Sequence, residues 1–152
     1  MKPLRYHPWR YHLSIAVLII PILWAGDFLH TFSREGIGVQ VFETKQIGPW
    51  TATLAEKYHA PPYRDPTGTM TKDFAVRFCE GCIDQFKAAY LKVGKPRSVR
   101  AAGAMLGGAA YAMEAHVQFP PKLEPTDTMW LTIEGWDGKL HQVSWPLTEI
   151  TK

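Results

Sequence analysis

From Gly38 onward, apolar and polar residues exchange places with a period of two, which predicts strands more than helices. Val39 and Val41 alternate with Gln40 in a first strand over Gly38–Lys45, with Phe42 breaking the alternation. Trp50, Ala52 and Leu54 share one face of a second strand over Trp50–Lys57, and Phe74, Val76 and Phe78 one face of a third over Asp73–Phe78. Between these, Pro61, Pro62 and Pro66 predict a long loop from Tyr58 to Thr69 without regular backbone pairing. The run Ile83–Val93 fits two periods. Ile83, Phe86 and Tyr90 fall at helical spacing, while Phe86, Ala88 and Tyr90 alternate; strand neighbours on both sides tip it toward strand.

Gly107-Gly108 predicts a two-residue hairpin turn. Pairing around it sets Leu106, Ala104 and Ala102 beside Ala109, Tyr111, Met113 and Ala115, a row that runs on through Val117 and Phe119 as a core face. Glu114, His116 and Gln118 fall on the opposite side. The strongest hairpin signal is Asp137-Gly138, flanked by Met129–Trp136 and Lys139–Pro146. A two-residue turn there sets Trp130 opposite Trp145 and Glu134 opposite His141, a cross-strand pair. Met129, Leu131, Ile133 and Leu140 then share one side. The other side carries Trp130, Trp136, Val143 and Trp145. About seven short strands joined by Pro/Gly turns predict an all-β domain, an immunoglobulin-like sandwich.

The N-terminal pattern differs. Leu13–Gly26 is uncharged and strongly apolar, with Lys2, Arg5 and Arg10 before it and Asp27 directly after. The 16 residues from Tyr11 to Gly26 carry no formal charge, short of the roughly 20 that span a hydrocarbon core as helix. Phe28, Leu29 and Phe32 extend the segment at the expense of including Asp27 and His30. A cleaved signal peptide fits poorly, because Leu23 and Trp24 spoil the small-residue cleavage site and Pro21 interrupts the run. A buried core helix fits poorly with the flanking basic cluster and with Trp9 and Tyr11 at the expected interface. An uncleaved signal anchor fits best. The expected organisation is a cytoplasmic basic segment (1–12), a single-pass transmembrane helix (13–32) and a periplasmic β-sandwich (33–152) in a bacterial inner membrane. A spanning segment this short makes most sense packed against neighbouring helices. Asp27 at its outer edge is either solvated in the headgroup layer or docked on a polar group of a multi-spanning partner. The whole resembles the general design of bacterial envelope accessory proteins, without a motif that names a family.

Charge adds one exclusion. The chain of 152 residues has a net charge of +3, and Lys2, Arg5 and Arg10 supply that excess. From Ser33 on, 14 Lys/Arg face 13 Asp/Glu, so there is no electrostatic case for nucleic acid. Lys92, Lys95, Arg97 and Arg100 cluster around Pro96, either as a solvated turn or toward anionic headgroups or an acidic partner.

Cys79-Glu-Gly-Cys82 holds the only two cysteines. In an oxidising compartment the pair reads first as a disulfide pinning a tight turn. It also reads as a soft-metal site for copper or zinc, with Met105 and His116 as further ligands on one face of the Gly-Gly hairpin. The third reading is thiol–disulfide exchange. Haem attachment is excluded in its simple form, since Ile83 follows Cys82. No nucleophile elbow, phosphate-cradling glycine loop or His-Glu-x-x-His motif occurs, so no hydrolase is indicated.

Two functional expectations follow. The leading one is a non-catalytic accessory subunit docking through Asp27, Trp130, Trp136 and Trp145 onto a larger integral membrane complex in metal uptake, metal homeostasis or electron transfer. The alternative is a small periplasmic copper-binding or thiol-redox protein acting through Cys79 and Cys82.

Overall fold

Strand-forming residues at alternating positions have one stable outlet, a sheet with its apolar side covered by another sheet. The chain divides into two units, Met1–Gly36 and Ile37–Lys152. A computed structural model describes residues 36–109 and 112–149, together with Val17, Ile19, Ile20, Ile22, Trp24 and Ala25. Those six residues are helical and exposed, and among the described residues no helix is long and apolar enough to cross a membrane. The rest of the segment read as an anchor, Asp27 included, lies outside the described residues.

The second unit is built from β1 (Gln40–Val41), β2 (Lys45–Ile47), β3 (Trp50–Glu56), β4 (Tyr63–Arg64), β5 (Met70–Phe78), β6 (Phe86–Val93), β7 (Ala104–Met105), β8 (Gly107–Ala109), β9 (Ala112–Gln118), β10 (Thr128–Gly135) and β11 (Leu140–Pro146). One antiparallel sheet has the order β1-β3-β5-β9-β8, with β2 also on β3 and β4 also on β5. The other has the order β11-β10-β6-β7. Both contribute to one core, in which Leu54, Phe74, Val76 and Val117 of the first sheet join Leu91, Met129, Leu131, Ile133 and Trp145 of the second.

The same parity that buries Trp50, Ala52 and Leu54 also buries Glu56, and the parity of Phe74 and Val76 buries Lys72. The two charges meet as an ion pair on the core side of the larger sheet. Removing either partner would leave an uncompensated buried charge.

Several expectations change in detail. The first strand shrinks to β1, where Val39 and Val41 face solvent and Phe42 enters the core. Tyr63 and Arg64, predicted as loop, pair with Thr71 and Met70, closed by a turn in which Asp65 accepts from Thr67 and Thr69. The run 83–93 opens with a 3-10 turn, Ile83–Gln85, and continues as strand. The pairing slips between Glu134↔Ala88 and Gly135↔Phe86, so Lys87 is the extra residue of a bulge. Phe86 therefore faces the core with Ala89 and Leu91, not with Ala88 and Tyr90.

Gly107-Gly108 is not a turn. Ala104-Met105 pairs with β6 in one sheet, Gly107–Ala109 with β9 in the other, and the chain changes sheet at the buried Leu106. The Leu106 N–H donates to Ala89 O (2.8 Å), which ties the crossing to β6.

The last hairpin exists, one residue out of the predicted register. Trp130 faces Ser144, Met129 faces Trp145 and Glu134 faces Leu140. The Gly138 N–H donates to Gly135 O and the Gly135 N–H to Lys139 O, both 2.9 Å, with Gly138 at φ 77°. The connection is thus a three-residue loop, Trp136-Asp137-Gly138, ending in a left-handed glycine. Asp137 reinforces it by accepting from the Lys139 N–H at 3.1 Å, and the Lys139 ammonium beside it holds its carboxyl below the usual range. The consequence is a swap of faces: Trp145, Val143 and His141 lie on the side of Met129, Leu131 and Ile133. Glu134 takes Lys87 as its partner instead of His141.

Because that loop depends on a left-handed residue, Gly138→Ala should cost about 1–2 kcal/mol. Urea denaturation checks it: the midpoint falls while the far-ultraviolet spectrum is unchanged.

Candidate functional site

The disulfide turn follows from where β5 ends. Phe78 is the last core residue of the strand, and the Cys79 N–H still donates to Thr51 O (3.2 Å) on β3. Glu80 and Gly81 then turn the chain, Gly81 at φ 69°, where a side chain would be strained. The Cys82 N–H returns to Cys79 O (3.1 Å). Cys79 and Cys82 are joined by a disulfide, their Cα atoms 5.3 Å apart. Cys82 is buried and Cys79 half-buried, its Sγ accepting the Thr51 N–H at 3.4 Å. With both sulfurs joined, neither offers a thiolate to a metal.

A tryptophan supports this turn from below. Trp50 Nε1 donates to Gln85 Oε1 at 3.2 Å, and Gln85 Nε2 donates back to Gly81 O at 3.3 Å. The Trp50 ring meets Phe86 and His141 edge-on, with centroids 5.5 and 5.2 Å away. His141 lies flat against Gly48, where any Cβ would collide with its ring. The sequence signal for this arrangement is the Ile47-Gly48-Pro49 break directly before Trp50.

Trp136 completes the same end of the domain. Its indole is 69% exposed, yet its Nε1 donates to Asp84 O at 3.1 Å. A flat apolar side chain is thereby held in one orientation beside the Cys79–Cys82 turn. The other two tryptophans expected on one docking face are elsewhere. Trp145 is 1% exposed, with its Nε1 on Glu43 O at 2.8 Å. Trp130 is half-buried on the outer side of its sheet, under the Lys95 ammonium at 5.2 Å. A three-tryptophan face does not form, because the hairpin register sends Trp145 inward.

The expected metal ligands do not converge either. Met105 is exposed on β7 of the smaller sheet, and His116 sits on β9 of the larger one. His116 Nδ1 lies 2.5 Å from Asp73 Oδ1, and Asp73 also accepts from Tyr63 at 2.9 Å, which holds that phenol above its ordinary range. About 20 Å of extended strand separates Asp73 from Cys79. Among the described residues, no group of three or more His, Cys, Asp or Glu is placed to hold a metal ion.

Residues 5–148 match the family model described as Uncharacterised conserved protein UCP029505, and the chain belongs to that family. No curated protein and no solved structure matches.

The disulfide closes a very short loop, so its entropic effect is limited to about 2 kcal/mol. Cys79→Ser/Cys82→Ser should therefore lower the stability of the β domain by about that amount in urea without unfolding it. A fully unfolded double variant would show that the bond holds more than this turn.

Proposed function

We propose that this member of the family is a membrane-anchored accessory subunit that docks onto a larger integral membrane complex. In this reading the β domain is immunoglobulin-like and lies on the periplasmic side of a bacterial inner membrane, with the apolar segment as its anchor. The strand orders support the fold assignment. With β3, β5, β9 and β8 as A, B, E and D, and β6, β10 and β11 as C, F and G, they follow the immunoglobulin arrangement, with β7 as an added C′ strand. The disulfide supports an oxidising compartment.

The observation that carries the docking role is Trp136. Exposed tryptophans are enriched at the centres of protein interfaces, where an indole that is already fixed loses little freedom on binding. This one is held by Asp84 beside a cross-linked turn. It stands at the end of β10 remote from Gln40, where the chain enters the domain. The exposed indole is the surface offered to the extramembrane part of a partner that handles metal or electrons.

Affinity capture of the tagged full chain from detergent-solubilised native membranes tests this. Trp136→Ala should lose the co-purifying partner while leaving membrane association and the urea midpoint intact. Undiminished capture of the same partner would contradict it.

A further inference from the structure

Most lysines of the β domain are occupied. Lys57, Lys72, Lys87 and Lys139 pair with carboxylates, Lys45 donates to Ser144 O, and Lys95 covers Trp130. Among the described residues, the side chains of Lys92, Arg97, Arg100 and Lys122 have no ion-pair, hydrogen-bond or ring partner, and three of them, Lys92, Arg100 and Lys122, line one cleft of about 770 Å³.

The fold assembles this cleft from both sheets. One wall is the end of β6 with the turn before β7. At Gly103 a Cβ would run into the Leu91 carbonyl and Lys92 Cβ, so only bare backbone lets this segment lie against β6. That close approach brings Arg100 to the same wall as Lys92. The facing wall is the end of β9 and the segment after it, which carries Lys122. The accessible apolar surface of the lining comes from Val93, Ala104 and Pro120, with Leu91, Val117 and Phe119 buried behind it. Two carboxylates reach the lining, Glu124 and Asp127, and Asp127 is turned back onto its own loop, accepting the Glu124 N–H at 2.8 Å.

We propose that this cleft binds an amphiphilic phosphate ester, with Lys92, Arg100 and Lys122 on the phosphate and the partly exposed Val93, Ala104 and Pro120 against its apolar part. The three cations outnumber the two carboxylates of the lining and pair with neither, so a bound anion relieves the excess positive charge. A guanidinium matches phosphate with paired hydrogen bonds, and ammonium groups add charge from the sides. The volume suits a small ligand with a few placed polar groups. Glu124 and Asp127 at the lining disfavour an extended polyanion and favour a single phosphate. Val93 and Phe119 lie at the end of the sheets where the chain enters at Gln40. A phospholipid headgroup is therefore one source, and it rests on the anchor reading above; a water-soluble ester is the other and does not.

The test uses the full chain in uncharged detergent micelles, titrated calorimetrically with dihexanoyl phosphatidylglycerol and, separately, glycerol 3-phosphate. Saturable binding is expected, weakened about tenfold or more in Arg100→Gln/Lys122→Gln and unchanged in Arg97→Gln, an exposed cation outside the cleft. Both variants should keep the parent urea midpoint. Tighter binding of the lipid supports the headgroup source, and equal or tighter binding of glycerol 3-phosphate the soluble one. No saturable binding of either, or equal binding by the double variant, overturns the proposal. Partner capture through Trp136 reads the other end of the domain, so either result stands without the other.

Discussion

The register of one hairpin decides which tryptophan is core and which is surface. A three-residue loop, Trp136-Asp137-Gly138, sets Met129 against Trp145, where a two-residue loop would have set Trp130 there. Because side chains alternate sides, that single residue carries Trp145, Val143 and His141 to the inner side of the sheet. Trp145 then fills the core between the sheets and is tied to Glu43 O, in the link between β1 and β2. His141 reaches Trp50, and Trp50 in turn props the disulfide turn through Gln85. The same loop leaves Trp136 outside.

The two ends of the sandwich are chemically different as a result. One end is cross-linked and aromatic, with Cys79–Cys82, Trp50, Phe86 and an exposed indole held by Asp84. The other receives the chain at Gln40 and holds the buried Glu56–Lys72 pair and the unpaired cations of the cleft. A rigid tip suits recognition by shape, since little order has to be created on binding. A cleft with spare positive charge suits a small anion. The two proposed contacts would therefore not compete for surface.

Alternation made most of the architecture legible. The faces of β3, β5 and β10 follow directly from Trp50-Ala52-Leu54, Phe74-Val76-Phe78 and Met129-Leu131-Ile133. The parity of β3 and β5, carried one step further, would also have found Glu56 and Lys72 as core residues. What alternation could not give was anything set by long-range crossing. Gly107-Gly108 has the local chemistry of a turn, yet Leu106 is drawn into the core and the chain changes sheets there. Asp137-Gly138 has the chemistry of a two-residue turn, yet hydrogen bonds from Gly135 and Gly138 close a longer loop. Of the candidate site, the cysteine pair was readable from its spacing, as the only two cysteines of the chain. Trp136 was named for the wrong companions, because its partner, Asp84 O, is a backbone atom that carries no sequence signal. Lys122 was missed because it lines one cleft with Lys92 and Arg100 only once the two sheets are stacked.

Whether the tip is the docking surface is read most directly by site-specific photo-crosslinking in native membranes. A photoreactive amino acid would replace Trp136 in the full chain, with a second version carrying it at the exposed Arg64 as the comparison. A docking surface at this tip predicts a discrete adduct with a membrane protein from position 136 and none from position 64. No adduct from position 136, or the same adducts from both, would contradict it.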